Sequence, residues 1–552
     1  MLLDYARFAR RMVSCSVLLA ATPLWAAPGD VKTTLDAPCK YPSGLASDGQ
    51  RLFLADWRTA TIFEIEPADG KVVRSFPAPT LKPSGLAFGK DRLYVCDDHT
   101  GLVYAVDLKT GIVETTFEAA EKTATGLAYA NDTLFILAKG RIYEVLPEDG
   151  TILNSFPEPD GNCSCLAHDG SYLWVSNRYK DELYMMDPKQ GKVIGIVKAP
   201  GPYPAGLAWL GGQLWNVDFQ TRKLYQLVIQ SEQMYRLSEP RRARAEYLWA
   251  LTNYGPGNVT GLTLNVAVPG SLLSQKLLSE IQYSTPASKQ VKDRWGQPCA
   301  VFDFGELAAG KKALLTYSVQ AELSAIRYLI IPEKTGTLAD IPAEIREKYT
   351  VDGTRLRLTS PYIQQQVKEV VGDTKNPYWI ARKVYDFVID RLEYEMAGGW
   401  DIPEVVLKRG KGSCSEYTYS FIALCRAAGI PARYQGSIVV RSDDASIDEA
   451  FHRWAEIYLP NYGWIPVDAN RGDGPLPADR ARGFGELSNR FLITTIGGGD
   501  SEYLSWGYNG FSTHQATGYC KLEEDTFGFW EPLPAAAEAR PTQPASTSQP
   551  AR

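Results

Sequence analysis

The tripeptide Gly-Leu-Ala begins at Gly44, Gly85, Gly126 and Gly206, and Cys165-Leu166-Ala167 stands where a further copy is due. The spacings of 41, 41, 39 and 41 residues are too regular for chance and too short for a domain, so each unit must bury its apolar face against its neighbours. Each copy runs into a short strand such as RLFLAD, RLYVCD or QLWNVD, then a second such as TIFEIEP or LVYAVD, and most close with a glycine and a third such as GKVVRSF. Four short strands per unit, punctuated by Gly and Asp turns, is the pattern of a propeller blade. The outer-strand glycines Gly70, Gly111, Gly150 and Gly191 each lie fifteen residues before the next opening position, and Gly29 lies fifteen before Gly44. An outer strand therefore precedes the first blade, where it can complete the blade that begins at Gly206 and close the ring. This predicts a five-bladed β-propeller over residues 29–235, with QMYRL (233–237) as a competing last strand that leaves the count open by one.

From about Arg241 the strands lengthen and alternate strictly. Leu262, Leu264, Val266 and Val268 share one face, as do Leu315, Tyr317, Val319, Ala321 and Leu323, which predicts a β-sandwich over 240–330. Helical signals begin after Pro361. Asn376 before Pro377 is an N-cap with a first-turn proline, followed by the stripe Ile380, Val384, Phe387 and Val388. The fold class expected over 335–530 is α+β, and the Pro/Ala/Ser-rich 534–552 reads as a disordered tail. Three such units suit a chain of 552 residues.

At the N-terminus Arg7, Arg10 and Arg11 precede an apolar run from Met12 to Ala27, which is too short to span a bilayer. Residues 1–27 read as an export signal cleaved after Ala26 or Ala27, with an uncleaved anchor as the alternative, and the mature chain offers no integral membrane segment. A periplasmic or secreted location follows, where disulfides can persist. Removing Cys15 leaves eight cysteines, whose spacing does not fix any connectivity. A net charge of −6 without a Lys/Arg stripe argues against nucleic acid as a partner.

The chemistry concentrates in GSCSEYTYSFIALCRAAGIPAR. Ser413 is a plausible N-cap, Tyr417, Phe421, Leu424 and Ala428 form an apolar stripe, and Gly429 with Pro431 ends the helix. Cys414 thus falls in the first turn, where free N–H groups and the positive end of the macrodipole favour a thiolate. Cys425, three turns on in an apolar stretch, is placed for packing. Glu416 reads as a first-turn carboxylate rather than a catalytic acid. A thiolate nucleophile needs a proton acceptor. Of the four histidines, His452 is the one in a strand-like context close after the helix, in HRWAEIYLPNYGWIPVD. That segment predicts a hairpin whose tip lies close to Pro460 and Asn461 if His452 and Asp468 are to stand nearly opposite each other, as a triad requires. Trp454 and Trp464 read as core or cleft wall. Cys163-x-Cys165 is a poor metal signal, and neither a metal nor a cofactor is expected.

These motifs, a G-x-C at a helix start, R-x-x-G-I-P-A-R after it, H-x-W on a strand and G-W-x-x-x-D on the next, resemble the core of the transglutaminase-like superfamily over roughly 360–530, and the repeats resemble β-propellers of the YVTN, NHL and lyase-like kinds. The first resemblance implies a papain-like fold with a Cys-His-Asp triad carried by Cys414, His452 and Asp468, acting through a thioester. It also implies an oxyanion site at the Cys414 N–H with an upstream donor, for which Tyr394 and Trp400 are candidates; no acidic cluster supports carrying over a calcium site. The expected activity is that of an exported amide hydrolase or acyltransferase on a protein or peptide substrate, hydrolysis before crosslinking, with the propeller holding a protein or polymer partner. The alternative is a binding scaffold whose thiol domain is inert.

Overall fold

Short strands that alternate around Gly and Asp turns can bury both faces only by stacking. In the computed structural model, which describes residues 26–396, 401–439 and 446–534, the repeats form five four-stranded antiparallel sheets. Blades 1 to 4 open with Pro42–Ser47, Pro83–Gly89, Ala124–Ala130 and Cys163–His168, and blade 5 with Pro204–Leu210. The outer strand of blade 5 is Val31–Asp36, paired antiparallel with Lys223–Leu227, so the two ends of the array hold each other. Aspartates at the ends of second strands set the turns: the Asp56 carboxylate accepts from the N–H of Arg58 and Thr59, and that of Asp97 from His99 and Thr100. The Gly of Gly-Leu-Ala is required by the central packing. A Cβ on Gly44 would lie 2.8 Å from the Leu86 nitrogen in the next blade, and one on Gly206 would lie 2.6 Å from the Ser43 carbonyl oxygen across the closure.

Beyond the ring, β1 (Tyr235–Ala267) is a 33-residue strand. Its first half lies between β3 (Lys311–Tyr328) and β8 (Gly510–Pro532), and its second half between β2 (Pro298–Leu307) and β8. Tyr247 and Trp249 from one half and Leu262, Leu264 and Val266 from the other enter one core, so a single nine-stranded sheet folds over itself to form the sandwich. Residues 510–532, placed by their position in the α+β segment, are thus a sandwich strand.

The α+β segment packs α1 (Pro361–Val371), α2 (Pro377–Arg391), α3 (Pro403–Arg409) and α4 (Cys414–Ala427) with a four-stranded sheet. In order its strands are β6 (Gly463–Val467), β5 (His452–Leu459), β4 (Ala432–Val439) and β7 (Phe491–Gly497). Asn376 caps α2 by accepting from the Trp379 N–H at 3.1 Å, as its position before Pro377 foretells.

One apolar core runs from Trp174, Leu183 and Met185 of blade 4 through Ile326 and Leu329 to Ile380, Val384 and Leu424. Ion pairs frame it: Lys192 Nζ lies 2.7 Å from Asp386, and Arg482, on α5 (Pro477–Arg482), reaches Glu182 at 2.7 Å and Asp160 at 3.1 Å. Blade 4 is therefore fused to the α+β segment by shared burial.

Candidate active site

The site is built on the first turn of α4. Ser413 is extended at φ −86°, ψ −179°, and its carbonyl accepts from the Glu416 N–H at 3.0 Å, while Glu416 Oε2 accepts from the Ser413 N–H at 2.7 Å. The Glu416 carboxylate thus closes the N-terminus of the turn from its third position, and the N–H of Cys414, the first helical residue, has no intrahelical duty. Arg409 Nη2 holds the other Glu416 oxygen at 2.5 Å. Gly412 is needed beside it, because a Cβ there would stand 2.7 Å from the Glu416 Cβ. The helix ends as its sequence foretells, with Gly429 at φ +84° and the Ile430 N–H bonded to the Cys425 carbonyl.

His452 opens β5. The pairs Ala455↔Val467 and Leu459↔Gly463 put the hairpin tip at Pro460–Tyr462, with Asn461 at φ +68°. Continued, that register sets Asp468 opposite Trp454, one diagonal step from His452 on the same face, rather than directly across from it. The imidazole spans the diagonal, and its Nε2 lies 2.6 Å from Asp468 Oδ2. Asp468 is fixed in turn: its Oδ1 accepts from the Arg471 N–H at 3.1 Å, and its own N–H donates to the Gly483 carbonyl at 2.7 Å. The imidazole also stacks near-parallel on Trp454 at 5.8 Å and on Phe491 at 5.5 Å, which locks its plane. Trp454 is fully buried, as its reading as core requires.

The half-buried Cys414 thiol lies within the electrostatic reach of the His452 ring and of the Arg453 backbone N–H. With Nε2 engaged by Asp468, Nδ1 is the ring nitrogen left for sulfur. Burial pushes the Cys414 thiol up, but the hydrogen bond and charge of His452 and the Arg453 N–H pull it down further, and it ends below the ordinary value. Burial likewise pulls His452 down, and the Asp468 carboxylate outweighs it and raises the imidazole to about 10. Asp468, opposed by burial, is held below its usual range by the His452 charge and hydrogen bond. Both shifts favour the thiolate–imidazolium form of the pair over the neutral one. Cys425, in the same helix, is 0% exposed, and burial alone drives its thiol well above its ordinary value.

Three features of the site have no sequence signal strong enough to announce them. Phe491 comes from β7, 37 residues beyond Trp454 of H-x-W in the chain. Tyr508 lies against the Arg453 guanidinium at 4.2 Å, which also faces the rings of Tyr419 and Tyr434. Arg453 itself is 2% exposed, and only its place as the x of H-x-W ties it to the site. Of the upstream oxyanion candidates, Tyr394 sits on a two-residue strand paired in parallel with Lys411–Gly412, which sets its backbone beside Gly412. Trp400 lies outside the described residues. The eight cysteines of the described chain are all free thiols, and among the described residues no cluster of three His, Cys, Asp or Glu side chains is arranged to hold a metal ion. No helix of the described residues is long and apolar enough to cross a membrane.

A curated protein of Haemophilus influenzae, itself described as uncharacterized, is 29% identical over 152 residues, which are 22% of this chain and 41% of that protein's length. Among solved structures, a "Putative Cysteine Protease" from Cytophaga hutchinsonii aligns over 54% of this chain and all of its own, at 15% identity and a TM-score of 0.38. Virginiamycin B lyase from Staphylococcus aureus aligns over 35% of this chain and 68% of its own, at 18% identity and a TM-score of 0.26. The model of the transglutaminase-like superfamily matches residues 364–469, a span that begins on α1 and ends one residue past Asp468. The segment that brings Cys414, His452 and Asp468 together is thus a transglutaminase-like domain, set in this chain behind a propeller and a folded-over sandwich.

Proposed function

We propose that this chain is an exported thiol enzyme that attacks amides, with Cys414 as nucleophile, His452 as general base and acid, and Asp468 as the residue that orients the imidazole. The observation that carries the reading is the relay itself: one ring bonded to Asp468 at 2.6 Å through Nε2, with the Cys414 thiol at the start of a helix and within its electrostatic reach.

In this mechanism the Cys414 thiolate adds to the carbonyl carbon, and the carbonyl electron pair moves onto oxygen, where the Cys414 N–H donates to it. The oxyanion collapses, the C–N bond breaks, and the leaving amine takes the proton from imidazolium. A thioester remains. His452, now neutral, removes a proton from water as it adds to the thioester, and collapse expels the thiolate and restores imidazolium. An amine in place of water would give transfer rather than hydrolysis; water is the default acceptor, and no amine site is marked. The propeller serves as the platform that holds the substrate-bearing partner, fixed through blade 4.

The test is alkylation of Cys414 by iodoacetamide as a function of pH. Reactivity should persist well below about pH 8.5, the ordinary thiol range, and His452→Ala should remove it. Alkylation that follows an ordinary thiol titration would sink the enzyme reading and favour the inert scaffold. Cys414→Ala, used as a trap in an extracytoplasmic extract, would then name the acyl donor.

A further inference from the structure

The repeat frame permits a comparison of each blade with the others at one position. The residue before the opening strand is Tyr41, Lys82, Thr123, Asn162 and Tyr203 in blades 1 to 5, and the residue after the second strand is Trp57, Asp98, Lys139, Arg178 and Phe219. Blades 2 to 4 build the turn without an aromatic residue at either place. The scaffold therefore does not need the aromatic pairs, yet the two adjacent blades 1 and 5 carry them, on identical backbone bonds: the Trp57 N–H to the Tyr41 carbonyl at 3.1 Å and the Phe219 N–H to the Tyr203 carbonyl at 2.9 Å. Tyr41 braces Trp57 edge-on at 5.8 Å, and Tyr203 packs on Phe219 at 5.2 Å. Trp57 nevertheless stays 36% exposed. Large rings held in place and left in water at one side of a ring of blades mark a contact surface.

Trp57, Tyr203 and Phe219 line a cavity of about 360 Å³ at the propeller axis, within the range of small-ligand sites, about 300–1,000 Å³. Its inner wall is made of the hydroxyls of Ser43, Ser84, Thr125 and Ser164, one from each of four successive blades. Each of these hydroxyls donates to a backbone carbonyl: Ser43 to Pro83 at 2.8 Å, Ser84 to Ala124 at 2.8 Å, Ser164 to Pro204 at 3.0 Å and Thr125 to Leu137 at 3.4 Å. A hydroxyl has one proton, so all four show only lone pairs to the cavity, and the occupant must bring hydrogen-bond donors. The charged lining residues are one cation, Lys82, and one anion, Asp98, which suits an occupant without net charge.

We infer that the mouth of the propeller binds a neutral saccharide. A sugar ring supplies the three properties together: an apolar C–H face for the aromatic pairs, a rim of O–H donors for the serine and threonine oxygens, and no charge. A proline- or aromatic-rich peptide would match the rings but brings few donors to the floor. The inference deepens the platform part of the reading above and does not depend on thiol chemistry, so a failure of Cys414 alkylation leaves it standing, and its own failure leaves the thiol enzyme standing.

The experiment is calorimetric titration of the full chain with chitotetraose, cellotetraose and maltotetraose. At least one should bind, and Trp57→Ala and Phe219→Ala should each weaken it about tenfold or more, the loss expected for one aromatic face. Lys139→Ala, at the same repeat position in blade 3 and off the cavity, should change it by no more than about twofold. The unfolding midpoint of each variant, read in parallel, separates lost contact from lost fold. Absence of binding to all three sugars, binding unchanged in Trp57→Ala with its fold intact, or selective binding of a proline-rich peptide instead would each overturn the inference.

Discussion

Helix α4 has a cysteine in its first turn and another in its last, and the two meet opposite conditions. Cys414 has the free N–H groups of the helix start, an imidazolium and a backbone donor, and its thiol is held below the ordinary value. Cys425 is enclosed by apolar side chains with nothing to receive charge, and burial alone raises it. Residue type and helix are the same, so the difference lies in the partners that the fold delivers. Helix position alone would not suffice: His452, brought from β5, gives the largest of the effects that lower Cys414. The way to break this comparison is to exchange or remove the two thiols separately. Cys414→Ala should lower acyl transfer from an activated ester by at least about a thousandfold, as loss of the nucleophile does in triad enzymes. Cys425→Ala should leave the rate of acylation intact. If the two variants lose activity alike, the division between a reactive and a packing cysteine is wrong.

The partners of Cys414 should follow in order of their distance from the sulfur. His452→Ala removes the base and the counter-charge together, and about 10²–10⁴ in acylation rate is expected to go with them. Asp468→Asn keeps the ring between Trp454 and Phe491 but removes the charge that raises it to about 10. The sign follows from that. The acylating form is thiolate with imidazolium, so its rate rises as Cys414 ionises and falls as His452 loses its proton; in the Asn variant the alkaline fall should move down from near 10 toward the ordinary histidine range, about 6.5. A pH–rate profile in single turnover reads this directly, and an unmoved alkaline limb would show that Asp468 does not set the imidazole charge.

How much of this was legible depends on how far the information lies along the chain. The repeat frame announces itself because the same pattern recurs, and its missing outer strand is visible as Gly29, fifteen residues before Gly44. Cys414, His452 and Asp468 are legible because the helix start, the strand and the turn lie within 55 residues and each has a local signature. The hairpin tip could be placed to within a residue, yet the diagonal relation of His452 to Asp468 depends on strand twist and turn geometry that composition does not record. What could not be read is what comes from afar. Gly510–Pro532 has little apolar alternation, and its exposed residues gain their place through pairing with β1 some 270 positions earlier. Phe491 and Tyr508 reach the site through sheet order and a loop return, and nothing in their neighbours marks them. The union of blade 4 with the α+β segment belongs to the same class, since Lys192–Asp386 joins residues that share no motif.

The smaller effects sharpen the comparison from the packing side. Cys425→Ser places a hydroxyl where no side chain awaits it, and a loss of about 1–3 kcal/mol in unfolding free energy is expected by denaturant titration, with acylation retained. Glu416 offers the finest test at the other end of the helix. Its Oε2 serves the Ser413 N–H, and its Oε1 meets Arg409, whose side chain is 42% exposed. An ion pair open to water on one side contributes little, whereas the bond from the Ser413 N–H to Glu416 closes a donor that the helix cannot satisfy itself. Glu416→Gln, which keeps an oxygen for the Ser413 N–H, should cost no more than a few tenths of a kcal/mol, and Glu416→Ala about 1 kcal/mol. Neither should move the alkaline limb of the pH–rate profile that Asp468→Asn displaces. Were Glu416 a proton donor in the reaction rather than a cap, Glu416→Gln would lower the rate although stability is spared, whereas the bond to the Ser413 N–H requires both to be kept.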